Sequence, residues 1–314
     1  MKVFQILWTG RLNDIKELRT FLILQYISAL SIKRVYGSLS IITDRRGKNI
    51  LKELGMPYDN YIINSKLENR KEEYFSAAKV EAIKSIVDFN ENFLFLDCDV
   101  FITEKINTKF KNIVQIDEGM SPNTWGLYQY CKRIGVNFTQ KFDENNIRML
   151  NMGVFRSSKN IVYQYYDSFF ENLNKNLRFL NNYKHPINFM FPFTILLEQS
   201  LIYEVFKKNK MLEEVYQAYD INKPLLNKYP FLLPCPRAMD FDHLTQVIDY
   251  SNAPKFDPWF DTPANIEKID QTKFVHLAMH KNNNNIIKEV ENWGFVNFPS
   301  EMKQFMKKLE KILE

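Results

Sequence analysis

The sequence is 314 residues long, 45% hydrophobic and 25% charged, which is the composition of a globular protein with enough apolar material for a sizeable core. Lys and Arg number 42 against 37 Asp and Glu, and this mild excess of positive charge does not indicate nucleic-acid binding, although anionic small molecules stay open as ligands. The 15% of aromatic residues and the low count of 9 glycines exclude a disordered chain and a collagen-like chain.

The first hundred residues alternate between short apolar runs and helical patterns. The apolar runs predict strands at 3–8, 39–43, 61–63 and 93–96. Helical spacing predicts helices between them, at 13–29, 48–54 and 72–87, the second of them closed by Gly55. Strands that alternate with helices predict a Rossmann-like, mostly parallel α/β sheet with helices on both faces. The strands are apolar throughout, which fits burial on both faces.

The regular alternation fades after residue 100. Strands are predicted at 113–116 and 152–155, and helices at 161–179 and 194–205. Nine of the 12 prolines lie between Pro186 and Pro263, so much of that stretch is expected to be irregular or long-looped. The polar run Asn282 to Asn285 predicts a turn or linker.

The pattern of cysteines and the length of the apolar stretches indicate where in the cell the protein is expected. Cys98, Cys131 and Cys235 form no C-x-x-C zinc pattern and no paired framework, which indicates free thiols in a reducing compartment. The N-terminal run has no small-residue cleavage site and predicts a strand rather than a signal peptide. No stretch reaches about 18 uncharged apolar residues. We therefore expect a cytoplasmic protein.

Two aspartates, Asp97 and Asp99, directly follow the apolar run at 93–96. Burying both carboxylates in a core is costly, so we expect them at the carboxyl end of a central strand, where open α/β sheets bind ligands. A bend at this point would let one or both reach a hard divalent cation, which prefers oxygen ligands. The alternative is a strand end with two solvated aspartates.

Two histidines, His276 and His280, and the neighbouring Lys281 close a second apolar segment far downstream. The imidazole of His276 would complete a manganese site begun by Asp99, because Mn²⁺ accepts mixed oxygen and nitrogen ligands. Lys281 would place its ammonium against a phosphate. The alternative is that one histidine is a satisfied core residue and the other is solvated.

Two more polar groups lie in otherwise apolar surroundings. Asn151 and Gly153 stand in the segment Asn151-Met152-Gly153-Val154-Phe155, and the glycine suggests close backbone approach to a ligand, although a plain bulge gives the same pattern. Glu198 and Gln199 lie within an apolar helical stretch, where spacing alone favours a solvated helix position for Glu198.

The order of these motifs resembles that of metal-dependent nucleotide-sugar glycosyltransferases of the GT-A fold. The motifs are the D-x-D after an apolar strand, the N-x-G-V-F segment, the Glu–Gln pair and the late His with a nearby Lys. The resemblance is to the family-eight-like group and to uncharacterised bacterial relatives. It implies one GT-A-type domain at 1–285, with a nucleotide-sugar-binding half at 1–117 and an irregular acceptor half at 118–285. Residues 286–314 would form a tail with an amphipathic helix.

The resemblance implies sugar transfer from a nucleoside diphosphate donor, with UDP as the carrier, to a glycan or lipid-linked acceptor, with retention of the anomeric configuration. Asp97, Asp99 and His276 would hold Mn²⁺ or Mg²⁺, and Asp97 would also contact the donor ribose. The other implied donor contacts are Asn151, Glu198 and Gln199 as catalytic residues, Gly153 beside the transferred sugar, Lys79 on the helix before the D-x-D, Lys281 on the diphosphate, and Trp8, Thr9 and Asp44 on the nucleotide.

The sequence departs from the family pattern at three places. The family carries an aspartate where Glu198 stands, and a glycine between the late His and Lys where this chain has Ala278 and Met279. An acidic nucleotide-contacting residue is also missing from the first strand, where Trp8 and Thr9 stand instead.

Two other classes of protein stay open. A haloacid dehalogenase-type Mg²⁺-dependent phosphatase also has an apolar strand ending in D-x-D. There the motif normally ends the first strand, with Thr or Val at the position of Phe101, and a Gly-Asp-x-x-x-Asp pair follows. A non-catalytic nucleotide-sugar-binding protein with the same fold is the other alternative, and the departures at Glu198 and Ala278 keep it open.

Two remaining features have competing interpretations. Asp240, Asp242 and His243 resemble a metal cluster, but they follow a proline-rich stretch, which favours a surface turn. The last residues form a helix pattern with an apolar stripe opposite four lysines, Lys303, Lys307, Lys308 and Lys311. Packing of the stripe on the parent domain is favoured, and an anionic membrane surface at the inner face of the membrane is the alternative.

Overall fold

The computed structural model of the chain describes residues 1–11, 15–68, 75–119, 122–140, 142–144, 146–182, 190–218, 269–270, 274–276 and 284–313. The strands in these ranges are β1 (Lys2–Leu7), β2 (Ser40–Thr43), β3 (Asn60–Ile63), β4 (Phe93–Leu96), β5 (Val100–Ile102), β6 (Asn112–Gly119), β7 (Met149–Arg156), β8 (Val215–Ala218), β9 (Ile269–Asp270) and β10 (Phe274–His276). The helices are α1 (Ile15–Tyr36), α2 (Arg45–Leu54), α3 (Ser65–Glu68), α4 (Phe75–Phe89), α5 (Pro122–Arg133), α6 (Lys159–Asn182), α7 (Met190–Lys208), α8 (Asn284–Asn297) and α9 (Pro299–Leu313).

Eight strands form one sheet in the order β3-β2-β1-β4-β7-β6-β8-β9. Strand β7 runs antiparallel to β4 and β6, and the other neighbours in the sheet are parallel. The predicted mostly parallel α/β sheet is therefore confirmed. Strands β5 and β10 pair in a separate antiparallel ladder, which the sequence did not predict.

Helices cover both faces of the sheet, as predicted. Phe4 and Ile6 of β1 belong to the core under α4, α5, α6 and α7. Val3 and Leu7 of the same strand belong to the core under α1, α2, α8 and α9. Successive strand residues face opposite sides, so a strand covered on both faces has to be apolar at nearly every position.

Helix α2 starts earlier than predicted, at Arg45 rather than near Lys48. The carboxylate of Asp44 accepts a hydrogen bond from the backbone N–H of Gly47 at 2.6 Å, which caps the helix N-terminus. The predicted end at Gly55 is confirmed, since this residue adopts the left-handed conformation with φ 70° that favours glycine.

The C-terminal helices pack on the domain. Helix α8 begins at Asn284, so the predicted turn or linker at 282–285 is wrong for its last two residues. Helix α9 buries Met302, Phe305 and Leu309, and the ring of Phe305 stacks on Tyr26 of α1 with 3.9 Å between centroids. The predicted packing of the apolar stripe is confirmed, whereas membrane contact through the exposed lysines stays a prediction. None of the helices in the described ranges combines the length and apolar character that a membrane crossing needs.

Several predicted features lie outside the described residues. They are the histidine His280, Lys281 with the preceding Ala278 and Met279, Cys235, the cluster at Asp240, Asp242 and His243, and most of the proline-rich stretch. Cys98 and Cys131 are described, and both are buried free thiols as expected.

Candidate functional site

The acidic turn, which we define as Asp97 to Val100, directly follows β4. The N–H of Val100 donates to the carbonyl of Asp97 at 3.2 Å, so the chain bends here before β5 begins. The side chain of Asp97 is 18% exposed, and Asp99 is buried. The expected bend is confirmed, and it lies at the carboxyl edge of the sheet, where open α/β sheets bind ligands.

Lys79 on α4 joins two of the predicted site residues. Its Nζ lies 2.9 Å from Oδ2 of Asp97 and 2.9 Å from Oε1 of Glu198 on α7. The side chains of Lys79 and Glu198 are 6% and 5% exposed. Three residues that are distant in the sequence therefore form one buried ionic cluster, and the solvated helix position for Glu198 is wrong.

The charges of this buried cluster depend on one another. Burial lowers the pKa of Lys79, but the carboxylates of Asp97 and Glu198 outweigh burial, so that the net shift is upward. Burial and, second, the charge of Glu198 raise the pKa of Tyr165 well above its usual value. Because an unpaired buried charge is strongly disfavoured, Lys79 is the cation that lets two carboxylates lie together at this depth.

The N-x-G segment lies beside the acidic turn. Val154 of β7 is the register partner of Leu96 in β4, and the N–H of Asp97 donates to the carbonyl of Gly153 at 2.8 Å. The side-chain oxygen of Asn151 accepts from the N–H of Gly153 at 2.9 Å. The structure therefore brings Gly153, with Asn151 bonded to it, next to Asp97, and the predicted position of both residues beside a transferred sugar stays a prediction.

Gln199 follows Glu198 on α7 and is half-buried. Its side-chain oxygen is inaccessible and has no hydrogen-bond partner in the part of the chain that the structure describes. The predicted contact of Gln199 with the donor sugar stays a prediction.

The backbone of His276 is brought to the acidic turn by the β5–β10 ladder. In this antiparallel register the Cα of His276 lies opposite the Cα of Val100, the residue after Asp99. Directly opposite residues in such ladders are about 4.5–5.5 Å apart at Cα. The side chain of His276 lies outside the described part of the chain, and its role as a metal ligand shared with Asp99 stays a prediction.

The predicted metal ligands carry donor atoms of the kinds that a divalent metal accepts. Two carboxylates in one turn, with the backbone of a histidine paired to that turn, form a mixed oxygen and nitrogen set of the kind that Mn²⁺ accepts. In the described side chains alone, no group of three or more His, Cys, Asp and Glu is close enough to hold a metal. The predicted set reaches three ligands only with the imidazole of His276.

Trp8, Thr9 and Asp44 lie at the carboxyl ends of β1 and β2. The indole N–H of Trp8 donates to the carbonyl of Leu67 at 2.9 Å. The carboxylate of Asp44 accepts from the N–H of Thr9 at 2.7 Å and from the Thr9 hydroxyl at 2.9 Å, besides capping α2. These contacts give Asp44 a structural role, and its predicted contact with a nucleotide stays a prediction.

A cavity of about 630 Å³ opens at the same edge of the sheet. Thr9, Gly10 and Asp44 line one part of it, and residues of α2 and α3 line the rest, among them Arg45, Arg46, Asn49, Leu67 and Glu68. This volume lies within the range of about 300–1,000 Å³ that is typical of small-ligand sites.

Residues 1–245 match DUF6734, a family of unknown function. The chain belongs to the DUF6734 family. The matched range contains Lys79, the acidic turn and Glu198, while His276 lies beyond it. No curated protein matches the chain.

Two polar residues at the site of this DUF6734 protein were missed by sequence reasoning. Gln5 in β1 and Ser28 in α1 are fully buried and bind backbone carbonyls of the acidic turn. The available signal was an amide in the middle of the apolar run at 3–8, where both faces of the strand are covered.

The DUF6734 protein also contains an ion pair between β6 and the start of β7 that was not predicted. Nε of Arg148 lies 3.2 and 3.0 Å from the two carboxylate oxygens of Asp117, at the carboxyl end of β6. The N–H of Asp117 also donates to the side chain of Gln217 at 2.9 Å. The ion pair joins β6 to the residue before β7, and the hydrogen bond to Gln217 joins β6 to β8.

Proposed function

We propose that the chain is a glycosyltransferase of the GT-A type that moves a sugar from a UDP-sugar donor to a glycan or lipid-linked acceptor. The reaction depends on a divalent metal and retains the anomeric configuration. The observation that carries the proposal is the buried contact of Lys79 with both Asp97 and Glu198. Motifs that the resemblance connects only by their order along the chain meet here within hydrogen-bond distance.

Three further observations support the proposal. The carbonyl of Gly153 binds the N–H of Asp97, which agrees with a role for the N-x-G segment beside the transferred sugar. The register of β5 and β10 brings His276 to the acidic turn. The mostly parallel sheet with helices on both faces is the architecture that the resemblance implies.

The cavity beside Thr9 and Asp44 is the proposed nucleotide pocket. It lies at the carboxyl ends of β1 and β2, and the acidic turn follows β4, the other sheet neighbour of β1. The first turn of α2 contributes two arginines, Arg45 and Arg46, which suit a donor that carries negative charge.

In the proposed reaction the bond between the anomeric carbon and the diphosphate breaks, and its electron pair leaves with the diphosphate. A bond forms between the acceptor oxygen and the anomeric carbon, and the acceptor proton passes to the departing diphosphate. A Mn²⁺ or Mg²⁺ ion held by Asp97, Asp99 and His276 would act as a Lewis acid toward that diphosphate. Lys281 would add a second positive charge there.

Glu198 borders the reacting face as a stabilising carboxylate. As the bond to the diphosphate breaks, positive charge grows on the sugar ring, and a fixed negative charge close to it lowers the energy of this state. Lys79 holds Glu198 in place through an ion pair of 2.9 Å, so the carboxylate needs little reorganisation during the reaction. Asn151 and Gln199 supply amide groups that can orient the sugar hydroxyls.

The test is a panel of nucleotide sugars incubated with the protein with and without Mn²⁺ and scored for binding, donor hydrolysis and transfer. We expect a UDP-sugar to bind only with the metal and to be turned over. Asp99→Asn should abolish metal-dependent donor binding, because it removes a carboxylate charge from the acidic turn with little change in shape. The matched control is Asp88→Asn, which removes a carboxylate from an exposed pair with Lys84 and should bind the donor like the wild type.

Other outcomes distinguish the alternative classes. Release of phosphate from generic phosphoesters without sugar transfer would favour the phosphatase. Tight nucleotide binding without transfer or hydrolysis would favour a binding protein. Unchanged donor affinity in the Asp99→Asn variant would contradict the proposed site, and an inverted product in an NMR assay would contradict retention.

A further inference from the structure

Gln5 lies in the middle of β1, is fully buried and uses both ends of its amide. Its nitrogen donates to the hydroxyl of Ser28 at 2.8 Å and to the carbonyl of Asp97 at 3.2 Å. Its oxygen accepts from the hydroxyl of Tyr58 at 2.8 Å. The side chain is thus fixed from both sides, although Val3 and Leu7, its neighbours on this face of the strand, are apolar.

Ser28 on α1 continues these contacts to the far end of the acidic turn. Its hydroxyl accepts from Gln5 and donates to the carbonyl of Val100 at 2.5 Å. At the other end of the series, Gln25 donates to the hydroxyl of Tyr58 at 2.9 Å. The hydroxyls of Tyr58 and Ser28 and the amide of Gln5 each donate one hydrogen bond and accept another, and such coupling strengthens a chain of buried hydrogen bonds.

A buried polar series of this kind is costly unless every group finds a partner, and apolar side chains would fill the same space at lower cost. Its branches end on two carbonyls of the acidic turn, those of Asp97 and Val100. The first carbonyl belongs to Asp97 itself, and the two carbonyls enclose the segment 98–100, which contains Asp99. The series therefore reaches the backbone at the place where small shifts would move both carboxylates.

We propose that Gln5 and Ser28 are positioning residues for the acidic turn. By holding the carbonyls of Asp97 and Val100, they fix the directions of the Asp97 and Asp99 carboxylates toward a divalent cation. This inference rests on the function proposed above. Neither residue contacts the ligand, so each acts through the backbone of the turn.

The first test compares two buried glutamines of the same layer. Gln5→Met keeps the length of the side chain and removes both of its bonds to Ser28 and Asp97. Gln25→Met removes a buried amide that contacts Tyr58 and the carbonyl of Ile6 but not the turn. We expect Gln5→Met to weaken binding of Mn²⁺ alone by about tenfold, the size of typical effects of residues that orient metal ligands. Gln25→Met should leave Mn²⁺ affinity within about twofold of the wild type, because Gln25 makes no bond to the turn in the described structure.

A milder pair of variants keeps the test valid if Gln5→Met does not fold. Ser28→Ala removes one hydroxyl and should weaken Mn²⁺ binding in the same direction by a smaller factor. Ser157→Ala removes a buried hydroxyl that donates to Asn112, beyond the opposite end of β7, and should not change Mn²⁺ binding. Ser28→Thr, which restores a hydroxyl, should recover part of the lost affinity.

Hydrogen exchange of the acidic turn separates this inference from the proposed function. Amide exchange of a peptide spanning 94–102 should be faster in Gln5→Met and Ser28→Ala than in their controls. Equal exchange and equal Mn²⁺ affinity in the variants and controls would overturn the inference while transfer by the wild type still supports the proposed function. If the wild type binds no Mn²⁺, the proposed function fails, and exchange alone decides whether Gln5 and Ser28 hold the turn.

Discussion

Lys79 on α4 and Glu198 on α7 form a buried ion pair with 2.9 Å between Nζ and Oε1, and Asp97 shares the same ammonium group. The ammonium group of Lys79 therefore links α4, α7 and the acidic turn. The consequences for stability and for catalysis can be measured separately.

Lys79→Met should destabilise the protein by about 3–5 kcal/mol, because it leaves the buried carboxylate of Glu198 and the partly buried carboxylate of Asp97 without their cation. Urea unfolding measures the effect. The control Lys132→Met breaks an ion pair with Glu144 in which both side chains are more than 40% exposed, and it should cost less than about 1 kcal/mol. The double variant Lys79→Met/Glu198→Gln should be more stable than Lys79→Met alone. A double variant that is less stable than Lys79→Met would contradict this explanation, because it would show that the unpaired carboxylate of Glu198 does not destabilise the Lys79→Met variant.

Glu198→Gln should lower the rate of sugar transfer by about 10²–10³-fold, since it removes a fixed charge beside the reacting centre. Binding of Mn²⁺ alone should change little, because Glu198 is not one of the proposed ligands. Initial rates with a saturating UDP-sugar provide the measurement. Glu171→Gln, at an exposed position on α6, serves as the control. Loss of Mn²⁺ binding equal to the loss of rate would move Glu198 from the reacting face to the metal site.

Phe305→Ala should destabilise the protein by about 3–5 kcal/mol, because the side chain is 1% exposed and stacks on Tyr26. Val296→Ala, near the C-terminal end of α8, is the matched control, since Val296 is 80% exposed and its truncation should change stability by less than about 0.5 kcal/mol. Chemical denaturation checks both values. If both substitutions changed the free energy of unfolding by the same small amount, α9 would not belong to the part of the protein that unfolds cooperatively.

Alkaline pH should lower the stability of the protein through Tyr26, the residue on which Phe305 stacks. Burial and, second, the charge of Glu301 raise the pKa of Tyr26 to about 12, whereas an unfolded chain releases this proton near pH 10. Between these values the folded state binds more protons than the unfolded state, so the free energy of unfolding falls as pH rises. The contribution of Tyr26 to the free energy of unfolding is fully present below pH 10 and is lost as the pH rises toward 12. In Tyr26→Phe the decrease should be shallower, as measured by urea midpoints across this window, and an identical slope would contradict the assignment.

The elements that local patterns determine were predicted well. Strand β4 was predicted at its observed bounds, because four apolar residues are followed at once by Asp97. The end of α2 at Gly55 was predicted for a similar local reason, while its start was missed because the polar residues after Asp44 gave no apolar periodicity.

Features that depend on pairing between distant segments were missed. Nothing in the residues of β7 indicates that it runs antiparallel between β4 and β6. Lys79 and Glu198 were expected at the site from family resemblance, but their mutual contact depends on how α4 packs against α7. Gln5 was not recognised as a site residue because its partners Ser28 and Asp97 come from other elements.

The pairing of β10 with β5 has a consequence for the order of biosynthesis. Every strand of the main sheet up to β8 leaves the ribosome before Phe274, the first residue of β10, has been translated. A nascent chain can therefore build most of its core while the acidic turn still lacks the strand that carries His276. Premature stop products that end before this strand would contain the cluster of Lys79, Asp97 and Glu198 without the last proposed ligand.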